Sequence, residues 1–598
     1  MKADLKVNET MNCDALIIGA GGAGMRVASE ILERKPDAKI IALTKVSHPQ
    51  KSHTSTAQGG LAAVDPADPN DAVAFHMFDT WKGSDCMADQ NVVKKICESA
   101  WDQILWLENR GMHFSRDQYG SLSKRTFGGH TRNFGEASAF RAVFEADRTG
   151  KGIMDTTWGE CLKQNIKFIN QCVAVELLIK DGQCFGCIVF SQKTGTFLRI
   201  LSRATIIASG GSGQVFNVTT NCRQNTGDGL ALVMDAGLPV MDPEAVQFHP
   251  TGIVGPGILA SETLRSVGGI LRNKDHEPFM VKYAPKMKEL APRDLVARAI
   301  ESEIREGRGV LHPEHDIEHV WIDLRHLSKE VHEKQIPEVN SFFMHYLNLD
   351  PRTELCPVRP SNHYHMGGIP TNEFGEVEDA GRDVIEGLYA VGECAAASFH
   401  GFNRLATNSL LELITMGKFV GDRVADRIEA EPKSMRDING DWFRKKFEAY
   451  FEARGENNIG GIRNSLRKTM TQKVGVFRSE KDISEAIETI RDLKTRAEQA
   501  ALNGRSLLMN QELMFRWELD NLLTISIAIC EAAMHRKESR GAHFRDDYPD
   551  RSDEFNYHTI LSMPQFGQIE IGRREVDMSI LRGDEVNREK FDIIERKY

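Results

Sequence analysis

The sequence predicts an α/β protein: a Rossmann-like dinucleotide-binding domain that carries an inserted α+β domain and is followed by a helical bundle and a small C-terminal domain. An apolar run at 14–18 breaks into glycines and continues as a helical pattern, as in the first strand, turn and helix of such a domain. Residues 252–362 are charged, helix-rich and contain several prolines, after which strand and turn patterns resume. Amphipathic helical patterns dominate 440–536. The 598 residues suffice for roughly three or four such units.

The first element is organised around a glycine turn. Gly19 permits a tight turn, Gly21 lets the backbone approach a pyrophosphate, and Gly24 packs the helix against the strand. Free N–H groups and the helix dipole then hold the phosphates. Three glycines can also form a plain turn, but their position between a strand and a helix favours a dinucleotide site. The predicted cofactor contacts are Gly19, Ala20, Gly21, Gly22, Ala23 and Gly24.

Charge, hydropathy and cysteine content argue against some classes of function. A net charge of -10 argues against general nucleic-acid binding, and a mean hydropathy of -0.37 is typical of a globular protein in water. No segment reaches the ~18 uninterrupted apolar residues of a membrane span, and the N-terminus is polar, so we expect a cytoplasmic protein that meets membranes only through partners. The 11 cysteines are scattered, as in a reducing compartment. Cys184 and Cys187 form a lone CxxC, more plausibly a coincidence at a strand edge than a zinc site.

The second strand is predicted at 39–43 and is followed by Thr44 and Lys45. A dinucleotide site often has an acidic residue at this position, where it binds the ribose, so the sequence disfavours a simple NAD site. Residues 52–60 then read S-H-T-S-T-A-Q-G-G. Small and hydroxylated residues around one histidine suit backbone that wraps over a flat ring, although a Ser/Gly loop with a surface histidine has the same composition.

The glycine turn followed by S-H-T-x-x-A-Q-G-G resembles the flavoprotein subunits of succinate dehydrogenase and fumarate reductase. The resemblance implies FAD bound covalently through His53 to the methyl carbon of the isoalloxazine ring, which fixes the ring and helps raise its potential. Related L-aspartate oxidases share the A-Q-G-G part but lack the histidine, so His53 discriminates between the two. The implied FAD contacts beyond the glycine turn are Thr44, Lys45, Ser52, His53, Thr54, Ala57, Gln58, Gly59, Gly60, Ala208, Asp228, Glu393, Arg404, Ser409 and Leu410.

Further family motifs span nearly the whole chain. They are F-G-G-H at 127–130, where His130 replaces a glutamine, N-F-G at 133–135, A-D-R-T-G at 146–150, N-T-G-D-G at 225–229 and G-L-Y-A-V-G-E at 387–393. The resemblance assigns Asp228 to FAD, whereas its position before a helix also suits an N-cap. We predict an FAD-binding domain at 1–252 and 363–435, a capping domain at 253–362, a helical domain at 436–550 and a C-terminal domain at 551–598.

Three motifs resemble the dicarboxylate site of the family. H-P-T-G at 249–252 and H-Y-x-M-G-G at 363–368 imply that His249 and His363 bind substrate, and G-x-N-R-L at 401–405 implies the same for Arg404; Phe127 is expected beside them. An arginine fork on one carboxylate and histidines around the other select a four-carbon diacid. Each histidine could instead be a packing residue. His363 with His365 could suggest a metal, but no acidic or cysteine cluster accompanies them.

Proton transfer is implied for S-E-T-L-R at 261–265 and P-R-D at 292–294. Glu262 and Arg265 lie side by side at i,i+3 on a helix; most such pairs are surface ion pairs of little value, but in the family they form a proton path. Ser261 stands where the family has a substrate-contacting threonine. The resemblance makes Arg293 the general acid and base, a role that the high pKa of an isolated arginine would not suggest.

The implied reaction is hydride transfer between flavin N5 and a methylene carbon of succinate or fumarate, with a proton moved at the adjacent carbon. Electrons then pass to an iron–sulfur subunit, because this chain lacks the cysteine runs that clusters need. Membrane anchor subunits would supply the quinone site and hold the complex peripherally at the cytoplasmic face of the inner membrane. The alternatives are a soluble flavin enzyme of the L-aspartate oxidase type and a catalytically silent relative that only binds a partner.

Overall fold

The described residues up to Ile253 form an α/β region. The computed structural model describes residues 5–164, 166–255, 257–313, 317–429, 438, 440–583 and 587–594. The strands of this region are β1 (Val7–Ile18), β2 (Ile40–Thr44), β3 (Leu61–Ala62), β4 (Lys124–Arg125), β5 (Thr131–Arg132), β6 (Ala137–Ser138), β7 (Ala142–Val143), β8 (Lys167–Asn170), β9 (Cys172–Lys180), β10 (Gln183–Ser191), β11 (Thr196–Ile207), β12 (Val240–Met241) and β13 (Val246–Ile253). Its helices are α1 (Gly22–Arg34), α2 (Val73–Gly83), α3 (Gln90–Asn109), α4 (Thr149–Lys163) and α5 (Asp228–Asp235).

The rest of the chain contains the inserted segment, the return to the first sheet, the helical region and the C-terminal hairpin. The helices are α6 (Thr263–Ser266), α7 (Met280–Tyr283), α8 (Arg293–Glu303), α9 (Lys329–Lys334), α10 (Pro337–Leu347), α11 (Asn408–Glu429), α12 (Trp442–Glu452), α13 (Ile459–Lys473), α14 (Glu480–Gln499), α15 (Gln511–His535) and α16 (Ser579–Arg582). The strands are β14 (Ile270–Arg272), β15 (Val310–Leu311), β16 (Glu318–Asp323), β17 (Cys356–His365), β18 (Ile369–Pro370), β19 (Glu376–Glu378), β20 (Val384–Ala390), β21 (Ala395–Ala396), β22 (Tyr557–Gln565) and β23 (Gln568–Glu575).

The centre of the largest sheet is parallel, in the order β8-β2-β1-β11-β20. Side chains of β1 alternate between two cores: Ala15 and Ile17 pack with α1, α3 and α11, whereas Leu16 and Ile18 pack with α5 and the helical region. This alternation follows from the two-residue period of a strand and explains why a parallel strand buried on both faces has a continuous apolar sequence. The predicted Rossmann-like arrangement is confirmed.

Two details of this sheet differ from the sequence prediction. The second strand begins and ends one residue later than predicted, at Ile40–Thr44. Cys184 and Cys187 lie within β10, which pairs with β9 on one side and β11 on the other, so the pair is inside the sheet and not at its edge. Both thiols are buried.

The inserted segment has a sheet and a core of its own. Its strands follow the order β13-β17-β16-β14, with β15 paired to β16. Leu271, Ile300, Ile322 and Phe343 belong to its separate apolar core. The predicted boundaries at 252/253 and 362/363 fall inside β13 and β17, which form one continuous antiparallel pair. The strands that carry the chain into and out of the insertion therefore belong to its sheet.

The helical region is less uniform than the amphipathic patterns predict. Helices α13, α14 and α15 pack together, whereas α12 lies on the outer face of the first sheet, with Phe443 and Phe447 against Phe197. The pattern predicted over 507–534 is a helix that begins only at Gln511, after Asn510 accepts a hydrogen bond from the N–H of Leu513. This helix is buried on nearly all sides and is not amphipathic, because the sheet, α13 and α14 surround it. The predicted boundary at 435/436 lies outside the described residues.

The α-helices of the described ranges are between 4 and 25 residues long. Helix α15 is the longest of them at 25 residues. Neither α15 nor another helix within those ranges combines the length and apolar character needed to cross a bilayer.

The C-terminal hairpin of β22 and β23 is attached to the first domain by a buried charge network. Strand β12 pairs with β22. His558 on β22 has its Nδ1 2.6 Å from Asp242 Oδ2 and its Nε2 3.3 Å from Asp89 Oδ1, and Arg536 donates to Glu244 at 2.7 Å. Buried charges that are paired and hydrogen-bonded on both sides hold two segments in one register. Strand pairing and charged contacts therefore join the hairpin to the first region of the chain.

Candidate active site

A cavity of about 780 Å³ lies at the carboxyl ends of the parallel strands, where open α/β sheets bind ligands. The inserted segment and α15 complete its walls. Most residues that the sequence predicted as site residues line it: Gly19, Ala20, Gly21, Gly22, Ala23, Thr44, Lys45, Ser52, His53, Thr54, Ala57, Gln58, Gly59, Gly60, Phe127, Ala208, Asp228, His249, Ser261, Glu262, Arg293, His363, Glu393, Arg404, Ser409 and Leu410.

Gly24 and Arg265 lie outside this wall. A Cβ on Gly24 would come within 2.1 Å of the Gly19 carbonyl oxygen, so Gly24 permits the close packing of α1 on β1. Arg265 is fully buried behind Glu262. Each residue contacts a residue of the cavity wall, Gly19 in the case of Gly24 and Glu262 in the case of Arg265.

The glycine turn fits a pyrophosphate. Gly19 has φ +117°, and a Cβ there would lie 2.1 Å from the Ala208 carbonyl oxygen, so a side chain is excluded on steric and conformational grounds. Gly21 is the N-cap of α1, and its side is open enough that a Cβ would meet nothing closer than 3.7 Å. The first turn of α1 has no acidic residue. The helix dipole and backbone N–H groups there suit an anion.

Lys45 at the end of β2 joins three parts of the chain. Its Nζ donates to Asp228 Oδ2 at 2.7 Å and to Glu518 Oε1 on α15 at 2.9 Å. Burial by itself would lower the pKa of Lys45, but the two carboxylates outweigh burial and raise it, so the lysine stays charged. The N-cap alternative for Asp228 is wrong, because Gly227 is the N-cap and Asp228 is the first helical residue. Asp228 Oδ1 accepts hydrogen bonds from Thr226 Oγ1 and Asn521 Nδ2.

His53 begins a short 3₁₀ turn, His53–Thr56, on the wall of the cavity. Its Nδ1 lies 3.2 Å from Thr56 Oγ1. Burial, with a smaller contribution from the charge of Arg404, lowers the pKa of His53 to about 4. The imidazole is therefore neutral at physiological pH, and it carries a lone pair on one ring nitrogen.

His249 and His363 lie together on β13 and β17, with ring centroids 5.1 Å apart. His249 Nδ1 accepts from the Thr251 N–H at 3.2 Å, so its proton is on Nε2. That Nε2 is buried and has no hydrogen-bond partner within the described residues. Burial and the charge of Arg293 hold the pKa of His249 well below its ordinary value. His249 is therefore a neutral donor in need of an acceptor, such as a substrate carboxylate.

Arg404 is buried beside these histidines. Its Nη1 donates to Ser409 Oγ at 3.0 Å, and the guanidinium lies 4.6 Å from the ring centre of Tyr364. Burial, and then the charge of Arg293, lowers the pKa of Arg404 to about 9. Its Nε is buried without a partner among the described residues. The donors left on this fork match a carboxylate.

Glu262 lies between two arginines. Arg293 Nε donates to Glu262 Oε2 at 2.8 Å, and Arg265 Nη2 is 3.6 Å from the same oxygen. Burial would raise the pKa of Glu262, but the two guanidiniums outweigh burial and lower it. The i,i+3 pair predicted from the sequence exists, and it is buried, unlike an ordinary surface ion pair.

The remaining predicted residues have mixed surroundings. Ser261 Oγ is 3.0 Å from Thr263 Oγ1 and accepts from the Thr263 N–H, so Ser261 contacts the first residue of α6 as well as lining the cavity. Glu393 accepts from the His365 N–H at 3.1 Å, and burial raises the pKa of Glu393 to about 7. His130 is buried with Nε2 2.8 Å from the Ala406 carbonyl oxygen.

His365 faces away from His363. Its Nδ1 is 2.7 Å from Ser212 Oγ and its Nε2 is 2.9 Å from the Pro243 carbonyl oxygen. Residues two apart on a regular strand point to the same side, but the pairing of β17 with β13 shifts register at His363, between the pairs Tyr364–Gln247 and Asn362–Phe248. With both ring nitrogens hydrogen-bonded, His365 has a structural role, and the alternative of a metal shared with His363 is not supported.

The sequence analysis did not name several residues that contact the predicted site residues or line the cavity. Thr220 holds His363 Nδ1 at 2.8 Å, and Thr251 orients His249. From the inserted segment, Phe342 and Tyr346 on α10 line the cavity, and the α10 Glu338 N–H donates to Asp147 Oδ2 at 3.2 Å. Only the H-P-T spacing of Thr251 carried a signal, since the others meet the site through long-range packing.

Sequence families and known proteins match this chain over most of its length. A sequence family described as FAD binding domain matches residues 14–410, and one described as fumarate reductase flavoprotein C-term matches 463–598. A succinate dehydrogenase flavoprotein subunit from Coxiella burnetii is 41% identical over 556 residues, 92% of this chain and 94% of that protein. An 8-methylmenaquinol:fumarate reductase flavoprotein subunit from Wolinella succinogenes is 35% identical over 98% of this chain and 93% of its own. A quinol fumarate reductase structure from E. coli superposes with a TM-score of 0.88 at 32% identity, covering 96% of this chain and 98% of that one.

Proposed function

The chain belongs to the family of succinate dehydrogenase and fumarate reductase flavoprotein subunits, and on that premise we propose how its own residues hold FAD and substrate and move the proton. The reaction is the interconversion of succinate and fumarate, an oxidation or reduction of a CH–CH bond, with FAD as the cofactor. The alternative of an L-aspartate oxidase type enzyme is not favoured, because the relatives reported above are succinate dehydrogenases and fumarate reductases.

We propose that FAD is bound covalently through His53. The glycine turn and the α1 N-terminus would hold the pyrophosphate, and Lys45 with Asp228 would lie at the opposite end of the dinucleotide. A neutral His53 with an available ring nitrogen on the cavity wall supports the attachment. When bound, FAD supplies two-electron redox chemistry and can exchange a hydride with the substrate.

We propose that the diacid binds between Arg404 and the histidine pair. Arg404 would bind one carboxylate with its fork, and His249 Nε2 with His363 would donate to the other. The support is the two buried unpartnered donors, His249 Nε2 and Arg404 Nε, because an unpaired buried donor is costly until an acceptor arrives. A monoacid would leave one of these groups unpaired, which gives selectivity for a diacid.

We propose that Arg293 donates and accepts the proton at the carbon next to the one that exchanges the hydride. Arg293 lines the cavity and its Nη1 is buried without a partner among the described residues. Glu262 and Arg265 would return the proton to Arg293, because Glu262 Oε2 lies 2.8 Å from Arg293 Nε and 3.6 Å from Arg265 Nη2. A fixed cation beside the reacting carbon also stabilises the charge that develops there.

The domain assignment remains our proposal, with 253–362 as a cap over the FAD-binding parts 1–252 and 363–435. The Asp147 contact with the first turn of α10 supports a closed position of this cap, in which water is excluded from the hydride transfer. We further propose that electrons pass to an iron–sulfur subunit and from there to quinone in a membrane anchor. The chain would then lie peripherally on the cytoplasmic face of the inner membrane, held by these partners.

The observation that carries the proposal is that His249, His363, Arg293 and Arg404 line the same cavity as His53. The test uses the isolated complex, with succinate:quinone and quinol:fumarate rates measured beside the flavin that stays on the chain after denaturation in SDS. Both rates with retained flavin are the expected result. Flavin fully released by SDS would overturn the covalent attachment, and turnover without a diacid substrate would overturn the site assignment.

A further inference from the structure

The Thr56 hydroxyl lies against both the ring and the carbonyl group of His53. The Thr56 hydroxyl donates to the His53 carbonyl oxygen at 2.8 Å, and Thr56 Oγ1 also lies 3.2 Å from His53 Nδ1. A threonine hydroxyl has one proton, and a carbonyl oxygen can only accept. Because that proton is used on the carbonyl, Thr56 Oγ1 must accept at Nδ1, so the proton of the neutral imidazole is on Nδ1.

We propose that Thr56 is a positioning residue that fixes His53 in the Nδ1–H tautomer and so presents the Nε2 lone pair as the nucleophile for flavin attachment. This inference rests on the proposed covalent role of His53. The tautomer of a histidine is set by the hydrogen bond that its other ring nitrogen makes, and within the described residues Thr56 makes that bond.

The surroundings keep this arrangement intact at physiological pH. Burial and the charge of Arg404 lower the pKa of His53 to about 4, so a second proton does not block Nε2. The Cys222 thiol also contacts Thr56, but burial raises the pKa of Cys222. The thiol therefore stays protonated and does not become an anion that would draw the hydroxyl proton away from the carbonyl.

In the attachment step the flavin ring itself would act as the oxidant. The bond that forms joins His53 Nε2 to the ring methyl carbon, and the bonds that break are one C–H of that methyl and the Nδ1–H. Two protons leave, and the two C–H electrons remain on the flavin, which is thereby reduced. Fumarate, a substrate of the reaction of this family, can take those electrons back.

The test compares full-length variants that receive FAD after expression under flavin depletion. Thr56→Val removes the hydroxyl with little change in shape, and Thr56→Ser keeps it. Ser55→Ala is the matched control, because it removes a hydroxyl from the same turn that donates to the Ser52 carbonyl and not to the His53 ring. The readouts are the rate at which flavin becomes resistant to SDS and the ¹⁵N shifts of the His53 ring, assigned by their loss in His53→Ser.

We expect Thr56→Val to slow attachment about fivefold, the effect of one neutral hydrogen bond, and to populate the Nε2–H tautomer. Thr56→Ser and Ser55→Ala should match the parent in both readouts. Attachment at the parental rate in Thr56→Val, or an Nε2–H signal in the parent, would overturn the inference. If the parent releases all its flavin in SDS, the covalent proposal fails by itself, and the ¹⁵N shifts still decide which tautomer Thr56 holds.

Discussion

Arg293 donates its Nε–H to Oε2 of Glu262 at 2.8 Å, across 31 positions in the sequence. The same oxygen faces Arg265, whose side chain has no exposed surface. Because the pKa of Glu262 is lowered by both guanidiniums, the carboxylate is ionised at rest. An ionised carboxylate in contact with both guanidiniums is the arrangement that the proposed proton path between Arg265 and Arg293 needs.

Replacing Arg293 by Ala should lower turnover in both directions by a factor of about 10²–10⁴, the usual worth of a positioned acid or base. FAD should stay bound, because Arg293 lies at the substrate end of the cavity. Steady-state rates and the flavin absorbance of the purified variant provide the measurement. The matched control is Arg298→Ala on the same helix, whose guanidinium bonds to Asp294 and the Gly541 carbonyl oxygen. Near-normal fumarate reduction by Arg293→Ala would remove Arg293 from the acid role.

Replacing His53 by Ser should leave FAD bound but dissociable and impair succinate oxidation more than fumarate reduction. The reason is that loss of the covalent bond lowers the flavin potential toward that of free FAD. Flavin fluorescence on a denaturing gel, with both rates, checks this. His48→Gln serves as the control: His48 lies in the same loop, in edge-to-face contact with Trp158 at a centroid distance of 4.9 Å, and its replacement should retain SDS-resistant flavin. Flavin still attached in His53→Ser would refute the assignment.

Arg404→Lys keeps the charge but loses the planar fork. We expect KM for succinate to rise roughly 10–100-fold, the value of one charged hydrogen bond, with a smaller change in kcat. The control is Arg423→Lys, an exposed arginine that pairs with Glu376 and should leave KM unchanged. An unaltered KM in Arg404→Lys would mean that another group binds the carboxylate.

His558 should make the stability of the chain pH-dependent. Burial alone would lower its pKa, but Asp242 and Asp89 raise it to about 9. Since this exceeds the ordinary value near 6.5, the imidazolium stabilises the fold fully below pH ~6.5, and the contribution is lost as pH rises through ~9, a difference of roughly 3 kcal/mol.

His558→Gln should therefore lower Tm more at pH 6 than at pH 9.5, as measured by thermal unfolding in matched buffers. His345→Gln on the exposed side of α10 is the control and should change Tm little at either pH. An equal loss of Tm at both pH values in His558→Gln would show that the charge of His558 does not contribute.

Local patterns predicted the parts of the fold and site that depend on neighbours in sequence. The turn at Gly19–Gly24 and the i,i+3 placement of Glu262 and Arg265 follow from spacing alone. The motif resemblance supplied residues such as Arg293 and Arg404, which line the cavity as expected.

What the sequence did not predict depends on contacts between distant segments. Glu518 reaches Lys45 across 473 positions because α15 packs against the end of β2, and no periodicity encodes that. The burial of α15 on nearly all sides likewise comes from its neighbours. The Thr56 contact with His53 is local, but a hydroxyl in a Ser/Thr-rich turn has many possible acceptors, so only the folded turn selects one.

A crystal structure of the protein with FAD and a bound diacid such as fumarate is the most direct test of the central claim. We predict continuous density between His53 Nε2 and the flavin ring, with the diacid between Arg404 and the His249–His363 pair and Arg293 against the reacting carbon. A ring that is unattached at His53, or a diacid bound away from these side chains, would contradict the account.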